Sequence, residues 1–272
     1  MSSVESSDDS PIVVTRDEQV AIITLNRPEV LNAIDFRLGR DLLKTLFNLR
    51  VDQTVRAILI TGAGRAFSSG GDVGAMDRSV QEGKPSLFMH WLIRMLNEIV
   101  AELRDMRIPV VAAIPGITSG GGLDIAMACD FRIASEKAKF KAAYTGIGLV
   151  PAGGGSYLMS MLIGPAKAME FFLLNEVMEA PEALRLRLVN KIVPHEKLIE
   201  EALIFTKGLA EGPTTAFGYT KFLLNEHISS GTLEGHLAQE TRLQSQILVE
   251  TTDFKEGIRA FLEKRPPHFV GK

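Results

Sequence analysis

Between residues 11 and 194 short β-rich runs alternate with segments of helical spacing, and after Pro194 the chain offers helices alone. This alternation is the strongest constraint on the fold. Strands separated by helices pair mainly in parallel, and a parallel sheet has to be covered on both faces. The runs "PIVVT" and "VAIITL" flank the polar "RDEQ" and read as a hairpin; "RAILITG", "PVVAAIPG", "DFRIAS" and "KIVP" read as later strands. Leu38, Leu42, Leu46 and Leu49 recur at helical spacing, as do Phe88, Leu92, Met95, Ile99 and Leu103. "SYLMSMLIG", "AKAMEFFLLN" and "APEALRLRLVN" read as further helices, whereas "GAGRAFSSGGD" and "KAKFKAAYTGIGLVPAGGG" read as loops. The fold class is therefore α/β, followed by an all-helical extension with a face for a partner subunit.

Composition removes several classes of function. With 46% apolar side chains in 272 residues the chain buries a full core. Thirty Lys and Arg stand against 33 Asp and Glu, so no chain-wide field holds nucleic acid or an anionic membrane. The single Cys129 excludes an internal disulfide and a cysteine-based zinc site, and fits a cytoplasmic location. Apolar stretches are broken well short of the ~20 residues that a membrane span needs. The opening "MSSVESSDDS" has Glu5, Asp8 and Asp9 but no arginine or apolar run, resembling neither a secretory signal nor a transit peptide. It is expected to be disordered.

Chemistry has two places to gather. The loops "GAGRAFSSGGD" (Gly62 to Asp72) and "GITSGGGLD" (Gly116 to Asp124) each follow a buried strand and precede a helical segment. Unpaired N–H groups at a helix start attract an anion or a developing oxyanion, and glycine lets a ligand approach that backbone. If the fold brings the loops together, one N–H from each forms a two-donor hole; the alternative is that the glycines only make tight turns. Phosphate sites fare worse, for the chain has no GxxxxGK[ST], no complete GxGxxG after a strand, and no GxSxG hydrolase elbow.

Asp124 sits among Leu123, Ile125, Ala126 and Met127, where a charge is costly unless paired, capped or functional. It either complements the helix dipole or serves as a proton carrier whose pKa desolvation raises. Asp72 reads as a loop cap, His90 beside Trp91 as a helix-surface or core histidine, and Met76, Met89 and Met95 as core or pocket filler.

At these loops the chain resembles the crotonase superfamily, the enoyl-CoA hydratase and isomerase family. The resemblance runs from "NRPEVLNAID" through "AFSSGGD", "PVVAAIPGITSGGGLDIAMACDFRIAS", "GIGLVPAGGGSYLMSMLIG" and "AMEFFLLN" to "FKEGIRAFLEKRPPHF", about residues 12 to 270. Beyond the expected disordered tail over 1–11, it implies a spiral of ββα turns over 12–195 that binds acyl-CoA, and a helical oligomerisation segment over 196–272, giving a homotrimer or a dimer of trimers. It implies a CoA thioester substrate, with no separate cofactor and no metal, its carbonyl held by the backbone N–H groups of Ser69 and Gly121. Along the adenine and pantetheine path it places Val30, Leu31, Ala33, Arg65, Ala66, Ser68, Gly71, Asp72 and Val73, with Phe261 and Lys264 near the nucleotide end.

The departures from the family pattern bear on which reaction the site runs. Hydratases of the family use two glutamates; one falls on Asp124, the other on Tyr144. Some isomerases place an aspartate after the proline of "GLVP", where this chain has Ala152. Asp124 is thus the one acid at a family catalytic position, with Tyr144 as a hydrogen-bond donor. A lone carboxylate can take a proton at one carbon and return it at another, which favours double-bond isomerisation; hydration by one acid and an ordered water stays open, as do ring-derived acyl-CoA substrates. The rival expectation is a non-catalytic acyl-CoA scaffold that kept the loops and lost the chemistry.

Overall fold

The computed structural model describes residues 10–230 and 232–271; the expected disordered tail lies outside the described residues as far as residue 9. The hairpin is β1 (Ile12–Asp17) and antiparallel β2 (Val20–Leu25), registered from Ile12 opposite Leu25 to Asp17 opposite Val20. Helix α1 (Phe36–Val51) starts at Asp35, whose side chain accepts the Leu38 N–H, and it buries Leu38, Leu42, Leu46 and Leu49. Then come β3 (Ala57–Gly62), β4 (Ala66–Ser68), α2 (Val73–Gln81), α3 (Pro85–Asp105), β5 (Val110–Ile114), β6 (Ile117–Ser119) and α4 (Gly121–Ala128). Next are β7 (Phe131–Ser135), β8 (Lys139–Lys141), α5 (Gly155–Ile163), α6 (Pro165–Leu174), β9 (Met178–Glu179), α7 (Ala180–Arg185) and β10 (Lys191–Val193). The helical part holds α8 (Leu198–Ala210), α9 (Thr214–Ser230), α10 (Leu233–Glu250) and α11 (Asp253–Glu263).

Two sheets share these strands. The larger has the order β1-β2-β3-β5-β7-β10 and is parallel from β2 onward; the smaller has the order β4-β6-β8-β9. From β3 to β8 the chain gives one strand to each sheet and then helical structure before it returns, which is the ββα spiral that the resemblance implies. The small sheet was not read from the sequence. Strands β4 and β8 lie inside the two segments read as loops, because three residues are too few to display alternation. What holds them is burial of Phe67 and Phe140, both 0% exposed and each worth ~1.5–3 kcal/mol.

Along β3 and β5 the side chains alternate between two apolar clusters. Ile58, Ile60, Val110 and Ala112 join the cluster beneath α1, α3 and α4, while Ala57, Leu59, Val111 and Ala113 join Leu198 and Ala202 of α8. Helix α8, placed by sequence with the oligomerisation segment, thus covers the second face of the chain's own sheet. The last helices bury little: α10 buries Leu243, and α11 leaves Phe254, Ile258, Phe261 and Leu262 exposed. Among the described residues no helix is long and apolar enough to cross a membrane.

Candidate active site

The two glycine loops meet because β4 and β6 are parallel neighbours. Ala66 pairs with Ile117 and Ser68 with Thr118, so the turns leaving both strands lie side by side. The Ser119 hydroxyl ties them by donating to the Ser69 carbonyl at 2.9 Å. Glycine is required where they touch. A Cβ on Gly70 (φ 91°) would stand 2.8 Å from the Ser119 carbonyl, and one on Gly122 would stand 2.5 Å from the Ser68 Cβ.

One expected donor is corrected. The Ser69 N–H is engaged by the Leu31 carbonyl at 2.9 Å and the Gly70 N–H by Ser68 Oγ at 3.1 Å. Among the described residues the Gly71 N–H has no acceptor, and neither has that of Gly121, first residue of α4. The amides left without an acceptor are therefore those of Gly71 and Gly121, not those of Ser69 and Gly121. The cause lies upstream, where Leu31 and Asn32 hold φ of 55° and 56°, a left-handed turn that brings the Leu31 carbonyl to Ser69. Fully buried Asn32 fixes that turn: its side chain accepts from the Arg27 N–H at 2.8 Å and donates to the carbonyls of Ala63 at 3.0 Å and Ala66 at 2.8 Å.

Asp124 is 1% exposed, and its carboxylate accepts from the Tyr144 hydroxyl. Burial pushes its pKa up to about 8, against a smaller opposing pull from that hydrogen bond. Burial and the neighbouring carboxylate also push the Tyr144 phenol above its ordinary value. Two glycines close around the acid: a Cβ on Gly153 would lie 3.0 Å from Oδ2, and one on Gly155 2.3 Å from Oδ1. Tyr144 is aimed by Ala143, which holds φ 66° while its N–H donates to Asn175 Oδ1 at 2.8 Å. The far end of α4 is held by buried Arg132, whose Nη1 donates to the Cys129 carbonyl at 2.6 Å and whose Nε donates to that of Leu188 at 2.7 Å. Sequence reasoning missed Asn32, Asn175 and Arg132; the lone cation inside the apolar run "DFRIAS" was a signal for the last.

Gly71, Gly121 and Tyr144 open onto one cavity of about 130 Å³, walled otherwise by Ser69, Ala152 and apolar side chains that include Val73, Met76, Met89, Leu92 and Leu96. Asp124 is not in this wall; Tyr144 stands there. The expected pantetheine path divides. Val30, Arg65 and Val73 are exposed and Leu31 is half-buried. Ala33, Ala66 and Ser68 are buried and offer no side chain to a ligand, Ser68 Oγ donating instead to the Asn32 carbonyl at 2.8 Å. Asp72 caps α2 by accepting from the Ala75 N–H at 3.0 Å and pairs with Arg27 at 3.2 Å. Phe261 and Lys264 do not wall this cavity: Phe261 lines a separate apolar groove on α11, and Lys264 ends that helix at φ 56°. His90 is on the helix surface, edge-on to Trp91, and Met95 packs toward Gly39.

Three comparisons bear on this arrangement. The family model "Enoyl-CoA hydratase/isomerase" matches residues 15–272. A Rhodobacter capsulatus protein named "Probable enoyl-CoA hydratase" is 38% identical over 94% of this chain and 96% of its own length. The "1,2-epoxyphenylacetyl-CoA isomerase" of Escherichia coli is 34% identical over 94% of this chain and 97% of its own. The crystal structure of an enoyl-CoA hydratase from Polaromonas superposes with a TM-score of 0.89 at 32% identity, covering 95% of this chain and 99% of that one.

Proposed function

The chain belongs to the enoyl-CoA hydratase/isomerase family, and from that premise we propose that it is an enzyme that takes an acyl-CoA thioester through its enolate. One observation carries the reading: two acceptor-less amides, Gly71 and Gly121, and a phenol backed by a buried acid converge on one apolar cavity. With the thioester carbonyl between the amides, charge that develops on its oxygen meets two fixed donors, and losing one such donor typically costs ~3 kcal/mol of transition-state stabilisation. The proton that leaves or enters the substrate is handled by Asp124 and Tyr144. Of the two reactions open to such an enolate, a shift of the double bond fits better than addition of water, because Tyr144 stands on the wall where the family's hydratases have their second glutamate, which leaves Asp124 as the one carboxylate.

Coenzyme A enters as part of the substrate, with no separate cofactor. Its path runs past the exposed Val30, Arg65 and Val73, and Phe261 and Lys264 serve its nucleotide end. The exposed apolar face of α11 supports assembly into a homotrimer or a dimer of trimers, and the cytoplasm is the proposed compartment. The decisive experiment is a panel of enoyl-, 3-hydroxyacyl- and ring acyl-CoAs incubated in heavy water. Deuterium at the α or γ carbon is expected. Binding with neither deuterium nor solvent oxygen incorporated would instead establish a scaffold.

A further inference from the structure

We infer that the atom exchanging protons with the substrate is the phenol oxygen of Tyr144, and that Asp124 acts through it, so that the two form a relay. The inference rests on the acyl-CoA reading above and deepens it. Tyr144 is part of the cavity wall together with Gly71 and Gly121, whereas Asp124 is 1% exposed and stands behind it. The tyrosine hydroxyl donates to Oδ2 of the acid, and the backbone of Gly155 closes on Oδ1 so tightly that a Cβ there would lie 2.3 Å away. A carbon held in the cavity therefore meets Tyr144 before Asp124. Burial raises the proton affinity of both groups, so the phenol keeps its proton at rest and the exchangeable charge resides on the acid.

The steps balance without another reactant. In a β,γ-unsaturated thioester the Cα–H bond breaks and its proton passes to Tyr144 Oη, as the proton already there moves to Asp124 Oδ2. The electron pair enters the conjugated system, and the resulting dienolate oxygen accepts from the Gly71 and Gly121 N–H groups. On return Asp124 gives its proton back to Oη, whose own proton forms the new Cγ–H bond, and the double bond ends between Cα and Cβ. Hydration would need a second group to hold water against Cβ. Among the described residues the only other polar side chain in the wall is Ser69, whose hydroxyl is turned to the Val30 carbonyl at 3.4 Å. The relay thus commits the site to isomerisation.

The test compares the wild type with Tyr144→Phe and Asp124→Asn in the full chain, using trans-3-hexenoyl-CoA as substrate. Tyr144→Phe should lose about 10²-fold or more in kcat with KM little changed, matching Asp124→Asn, as removal of a proton carrier does. The wild-type rate should bow downward against the deuterium fraction of the solvent, because two protons move together. If Tyr144→Phe stays within about threefold of wild type while Asp124→Asn is dead, the acid touches the substrate directly and the relay is wrong, though the acyl-CoA reading survives. If the wild type moves no double bond and exchanges no α or γ hydrogen, that reading itself fails. Solvent oxygen in the product would overturn the commitment to isomerisation. Should Tyr144→Phe not fold, 3-fluorotyrosine at 144 keeps the hydroxyl and its shape while acidifying it; a changed kcat is expected, and an unchanged one overturns the relay.

Discussion

The two glycine loops begin alike and end in opposite chemistry. Each leaves a three-residue strand of the small sheet, runs through glycines into a helix, and carries an aspartate close behind. Asp72 sits at the mouth of α2, caps it and pairs with Arg27. Asp124 enters α4, whose every residue is buried, and its proton is held up to about 8. The loop motif therefore does not decide what its acid does. What decides is the cover: α2 lies on the surface, while α4 is enclosed by α3, α5 and the small sheet, so Asp124 has lost the water that would favour its ionised form.

The sharpest break of this comparison is Asp124→Asn. Turnover should fall by about 10²-fold to 10⁴-fold while CoA-thioester binding, followed by calorimetry, stays near wild type. In the wild type the carboxylate has to be ionised to accept a proton, so kcat/KM should rise with pH and level off above about 8. Stability runs the other way. Folding gains from the raised proton affinity of Asp124, a gain complete below the ordinary carboxylate value of 3.8 and lost as pH climbs to about 8. Asp124→Asn should therefore gain on wild type in melting temperature between pH 5 and pH 9; equal shifts at both would mean that the acid is hydrated.

Gly122→Ala tests the place where the two loops touch. Its Cβ would press on the Ser68 side chain at 2.5 Å, so a loss of about 1–3 kcal/mol in denaturant unfolding is expected, together with a lower kcat as the Gly71 and Gly121 amides part. The smallest effect belongs to the surface acid. Asp72→Ala should cost about 1 kcal/mol through the lost helix cap and leave kcat within a factor of a few, and an effect on kcat as large as that of Asp124→Asn would erase the distinction drawn between the loops.

Much of the fold was legible in the sequence because long strands and amphipathic helices write their periods plainly: the leucines of α1 and the buried run of β3 are examples. The small sheet was not, since β4 and β8 show little beyond one buried phenylalanine each. In the site, Asp124 stood out as an acid within an apolar helix. Its contact with Tyr144 did not, because it depends on Ala143 taking a left-handed turn that the side chain of Asn175, just past the end of α6, holds in place. The choice of Gly71 over Ser69 as donor was hidden for a similar reason: which amide is free depends on where the Leu31 carbonyl goes, and local sequence carries no trace of that.

The two members of the relay are anchored on different clocks. Helix α4 is buried along its whole length and held at its end by Arg132, so exposing its amides to solvent requires the whole core to open, and Asp124 keeps its position through every lesser fluctuation. Tyr144 rides on a segment whose next residues, Gly146 to Gly148, are exposed, and such segments open on far shorter timescales. The acid is thus anchored in the part of the molecule that opens last, and the phenol at the edge of a segment that opens sooner.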